Sequence, residues 1–91
     1  MSKKYAILTR DRQSEALRVA LGLMLLDDQV EVFLLDRPVA EDESTQNQYR
    51  NCLDMDLPVY SDHVAGPEGM ILERQDLAGR LADFDRILPL L

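Results

Sequence analysis

The chain's only cysteine, Cys52, and its only histidine, His63, flank the apolar stretch LPVYS, residues 57–61. A thiol beside an imidazole makes a nucleophile with its base, provided the two come within hydrogen-bond reach. If LPVYS is a strand, it spans roughly 16 Å at ~3.3 Å per residue, so the pair lies towards opposite ends and a dyad is not expected. A zinc site would draw on Cys52, Asp54, Asp62 and His63. These lack the close paired spacing of structural zinc sites, and no metal is expected. Cys52 alone remains as a candidate catalytic thiol, a role that needs exposure and a lowered pKa. Arg50 is nearby, but residues two apart on a helix do not face each other, and Asp54 and Asp56 oppose ionisation. The alternative is a cysteine packing a helix onto a sheet, where this residue type is often buried.

The elements around these residues follow from periodicity. KYAILTR, residues 4–10, is a short apolar run bounded by charge and reads as a buried strand. DRQSEALRVALGLMLLDD follows, with Ala16, Leu17, Ala20, Leu21 and Met24 at helical spacing and Asp11 or Ser14 available as a cap. Val19, Leu23, Leu25 and Leu26 make that helix apolar over more than one face, which predicts a second packing surface. QVEVFLLD, residues 29–36, fits an interior parallel strand. RPVAEDEST is an acidic loop, and STQNQYRNCLDM a short, poorly amphipathic helix.

LPVYS is a third strand, with Pro58 where a missing N–H is tolerated. DHVAGPEGM is a loop punctuated by Gly66, Pro67 and Gly69. LERQDLAGRLADFD places Leu77, Ala78, Leu81 and Ala82 on one helical face, and RILPLL closes the order as a strand. The pattern β-α-β-α-β-α-β predicts a single α/β domain: a three-layer sandwich around a small, mainly parallel four-stranded sheet with right-handed crossovers.

Parallel α/β sheets bind ligands beyond the carboxyl ends of their strands. The loops TRDRQS, DRPVAED and SDHVAGPEG all follow strands and should share one edge. Thr9, Arg10, Arg37, Ser61 and His63, with Tyr60 beside Ser61, are therefore the candidate pocket, suited to a small anion. The competing reading is helix capping with solvated arginines. The first loop lacks the glycine-rich phosphate fingerprint, so no nucleotide or flavin cofactor is expected.

Composition narrows the classes further. A net charge of −7, with scattered basic residues and few aromatics, argues against nucleic acid as a partner. The longest apolar run, VALGLMLL, falls far short of the ~20 residues that span a bilayer. No signal-like segment is recognised in MSKKYAIL, and a single cysteine suits a reducing compartment, so a soluble cytoplasmic protein is expected. A chain of 91 residues has a thin stability margin, which favours burying surface in an oligomer.

This layout resembles the DsrE-like family of sulfur-relay proteins. The likeness rests on KYAILTR running through a polar turn into an Ala/Leu-rich helix, on VEVFLLD, on a helix leading into LDMDLPVYSD, and on the ending DLAGRLADFDRILPLL. It covers nearly the whole chain as a pattern of elements rather than as one specific motif. The resemblance implies a cytoplasmic protein that assembles as a homo-oligomer or with a related subunit, with activity that is sulfurtransferase-like at most. Catalytic members carry a persulfide on a cysteine near the end of the strand that here reads LPVYS. The corresponding places hold Tyr60 and Ser61, and Cys52 lies about eight residues upstream. The leading expectation is thus an accessory or partner-binding component of sulfur transfer. The alternatives are an active persulfide carrier using Cys52 and a module binding a small anion or metabolite at the strand-end loops.

Overall fold

The computed structural model describes residues 3–36, 39–61 and 74–90. Their order is β1 (Lys4–Thr9), α1 (Gln13–Met24), β2 (Gln29–Leu34), α2 (Glu43–Asp54), β3 (Val59–Ser61), α3 (Arg74–Leu81) and β4 (Arg86–Leu90). The four strands form one parallel sheet in the order β3-β2-β1-β4. This is the small α/β sandwich expected from the alternation of strand and helix periods.

The strand order dictates where the helices go. From β1 to β2 to β3 the chain moves one way across the sheet, so crossovers of one hand put α1 and α2 on the same face. From β3 to β4 it travels back past β1, which sends α3 to the other face. The core divides accordingly. Ile7, Val30, Val32, Leu34 and Val59 meet Ala16, Leu17, Ala20 and Cys52 of α1 and α2. Ala6 and Phe33 meet Leu77 of α3, with Leu8, Tyr60, Leu81 and Phe84 packed around them.

β2 is buried from Val30 to Leu34, as its position between β1 and β3 requires. The edges are blunted. β3 has only three residues, and β4 carries Pro89, whose missing N–H is tolerated on a strand paired on one side.

Local details depart from the sequence reading in two helices. The cap position of α1 does not fall on Asp11 or Ser14, because the helix starts at Gln13, which leaves Asp11 before the cap and Ser14 inside the first turn. Arg12 holds the cap position with no side-chain cap bond. In α3, Leu77 is buried and Leu81 partly so, but Ala78 and Ala82 are exposed, since the helix ends at Leu81 and its contact stripe is narrower than expected. The predicted surplus of apolar surface on α1 is present at Val19, Leu25 and Leu26, which are exposed, whereas Leu23 packs against the core.

Candidate functional site

At the carboxyl edge of the sheet, Thr9, Leu34 and Ser61 lie in register on β1, β2 and β3, and Leu90 pairs with Thr9 from β4. In a parallel sheet, residues in register point to the same face, so Thr9 and Ser61 both face α1 and α2 with Leu34 between them, about 10 Å apart. Both are buried. The Thr9 hydroxyl donates to the Leu90 carbonyl at 2.9 Å, and its backbone carbonyl accepts the Leu35 N–H at 2.8 Å. This edge is tied shut between β1 and β4, where the chain's direction of travel reverses.

The other candidate pocket residues are dispersed. Arg10, just beyond β1, pairs with Asp36, just beyond β2, at 2.8 Å on the surface. Tyr60 alternates with Ser61 and faces α3, stacked on Phe33 at a centroid distance of 5.4 Å. Its hydroxyl accepts from Arg80 Nη2 at 2.9 Å. Arg37 and His63 lie outside the described residues. Among the described residues, Thr9 and Ser61 are thus buried on the side of α1 and α2, Arg10 is ion-paired at the rim, and Tyr60 lies across the sheet.

An open groove of about 340 Å³ instead separates the starts of α1 and α2, lined by Asp11, Arg12, Ser14, Glu15, Arg18, Asp42 and Thr45. Arg12 pairs with Glu15. Asp42 caps α2, its carboxylate accepting the Thr45 N–H at 2.9 Å and the Thr45 hydroxyl at 3.0 Å, which holds its pKa below the usual carboxylate value. Ser14 and Ser44 share a hydrogen bond of 2.6 Å across the groove. Beside it, Gln13 accepts the Ala40 N–H at 2.7 Å and Gln46 donates to the Ala40 carbonyl at 2.8 Å, so two glutamines clamp the loop that leads into α2. Three carboxylates against two arginines make the groove a poor anion site.

Cys52 lies inside the core. Residues 45, 49 and 52 form the inward stripe of α2, and the thiol packs between α1 and α2 with Sγ 3.9 Å from the Leu17 carbonyl oxygen. Burial pushes its pKa up to about 11. An exposed thiol of lowered pKa, the requirement for a carrier, is the opposite of this arrangement. Among the described residues, no group of three or more His, Cys, Asp and Glu could hold a metal ion. No helix among them is long and apolar enough to cross a membrane.

One polar cluster escaped the sequence reading. Glu31, buried in the middle of β2, faces α3 and accepts from Arg80 Nε at 2.8 Å. The same guanidinium lies over the Tyr60 ring at 4.7 Å. The available signal was a lone carboxylate inside the apolar run VEVFLL. All its functional groups are engaged with one another, so the cluster anchors α3 to the sheet.

Compared with known family models, curated proteins and solved structures, the chain matches none.

Proposed function

We propose that this protein is a partner-binding component of intracellular sulfur transfer, of the DsrE-like kind, that does not itself carry sulfur. One observation carries the reading. At the end of β3, where the resemblance locates a persulfide-forming cysteine, the chain has Tyr60 engaged by Arg80 and Ser61 buried, while its one thiol is sealed between two helices. A sulfur-accepting thiolate must reach its donor, and nothing at this strand end supplies one. An α/β domain that keeps the frame without the nucleophile serves by contact with a thiol-bearing relative.

The test is to offer a sulfane-sulfur donor and weigh the intact protein, with Cys52→Ser as control. No gain of sulfur, together with binding to a thiol-bearing DsrE-like subunit, supports the proposal. A gain of one sulfur that Cys52→Ser abolishes would overturn it in favour of a persulfide carrier.

A further inference from the structure

The outward side of α1 carries a glycine that the chain's own fold does not call for. Ala16, Leu17 and Ala20 define the buried side of the helix. At about 100° per residue, Gly22 lies almost opposite them, and it is exposed. Glycine is among the least favourable residues in a helix interior. Here the backbone is ordinary right-handed helix, and a Cβ at this position would meet nothing of the chain within 4 Å. The missing side chain therefore leaves room for something from outside, where a backbone can come close.

Large apolar side chains surround that bare backbone. Val19, Leu25 and Leu26 are 39%, 75% and 71% exposed. Leu25 and Leu26 continue the winding of α1, their N–H groups bonding the Leu21 and Leu23 carbonyls. Opposite charges bound the face: Arg18 comes a turn before Gly22, and Asp27 follows Leu26. Both are exposed, and neither has an ion-pair partner among the described residues. Antiparallel pairing of two α1 helices about a two-fold axis at Gly22 puts Val19 opposite Leu25 of the other copy. It also puts each Arg18 opposite the other copy's Leu26, beside its Asp27. Parallel pairing would set Arg18 against Arg18 and Asp27 against Asp27. The face is thus complementary to itself in one orientation, as a two-fold interface requires. An anionic lipid surface would be repelled by a chain of net charge −7.

We propose that the protein pairs with a second copy of itself through α1, the two helices crossing antiparallel at Gly22 with an Arg18–Asp27 ion pair at each end. The glycines let the backbones approach, and Val19, Leu25 and Leu26 close over the crossing. The contact is one helix wide, which places it among small interfaces that dissociate on dilution. This inference goes beyond the preceding one and does not depend on it. It uses neither Cys52 nor β3, so sulfur loading of Cys52 would overturn that proposal and leave this one standing.

The test is sedimentation equilibrium of the full chain between about 5 μM and about 1 mM, where a monomer–dimer equilibrium is expected. Gly22→Gln separates contact from fold. The added side chain meets nothing of its own chain and favours helix, so the dilute variant should melt at a higher temperature than the parent. The same substitution should weaken the dimer at least about tenfold, because it fills the crossing point. Arg18→Gln and Asp27→Asn should each weaken it, with asparagine tolerating the left-handed backbone at residue 27. Together they should weaken it by less than the sum of their separate effects, since both remove the same ion pair. A monomeric mass across the whole range, or a dimer that Gly22→Gln leaves unchanged, would overturn the proposal. So would fully additive effects at Arg18 and Asp27, which would show that the two do not meet.

Discussion

Cys52 faces Leu17 across the contact between α1 and α2, its thiol donating a weak hydrogen bond to the Leu17 carbonyl oxygen at 3.9 Å. The chain's one sulfur is thus a piece of helix packing. With its pKa near 11, only about one molecule in a thousand carries the thiolate at pH 8. Alkylation of the folded protein should therefore be slow, and unfolding in urea should speed it by orders of magnitude. Fast stoichiometric labelling of the native state would refute this placement.

The same burial makes stability depend on pH on the alkaline side. Below about pH 9 the thiol is protonated in both states, and its contribution is fully present. Between about pH 9 and pH 11 the unfolded chain ionises while the folded one does not, so roughly 2–3 kcal/mol is lost. Tyr49, raised by burial and by its proximity to Cys52, adds a loss of the same sign. Urea midpoints measured across this range should fall, and Cys52→Ala should flatten the decline.

Arg80 is the only ion-pair partner of the buried Glu31 among the described residues. Arg80→Ala should cost about 2 kcal/mol in urea unfolding, because it strands a carboxylate inside the sheet. Arg80→Lys should recover only part of that, since an ammonium cannot reproduce the fork that reaches Glu31 and Tyr60 together. Full recovery by lysine would show that charge alone matters there.

Asp56 closes α2 in a left-handed conformation, with φ of 57°. Its N–H bonds the Leu53 carbonyl, and the Leu57 N–H bonds the Cys52 carbonyl, the paired arrangement that glycine favours at a helix end. Asp56→Gly should raise stability by about 0.5–1 kcal/mol, read as a higher melting temperature.

Asp42 caps α2 through Thr45, and those bonds hold its carboxyl below the ordinary range. Its contribution is present above the ordinary carboxylate pKa and lost as pH falls through the lower folded value. Asp42→Ala should lower the melting temperature at neutral pH. Asp42→Asn should retain more of the cap and shrink the acid-side decline, seen in melting curves between about pH 5 and pH 2.

The elements were legible because each buries a face at its own period. Ala16, Leu17 and Ala20 recur as a helix must, and VEVFLL reads as a strand covered on both sides. The candidate site was legible only in part. Thr9 and Ser61 do share an edge and a face, as loops following parallel strands require. Tyr60 does not join them, because neighbours along a strand point to opposite faces. Glu31 was visible as an oddity, but Arg80, 49 residues later, comes opposite it only when α3 crosses to the far face.

By itself the sequence determined the alternation of strand and helix, and with it a small parallel sheet, because hydrophobic period is a local property. The environment of Cys52 and the opposite facing of Tyr60 and Ser61 were decided by tertiary structure. Those depend on the order β3-β2-β1-β4, which puts α1 and α2 over one face and α3 over the other. A thiol becomes a nucleophile or a core residue according to what packs against it, and in Cys52 that is a helix begun 39 positions earlier.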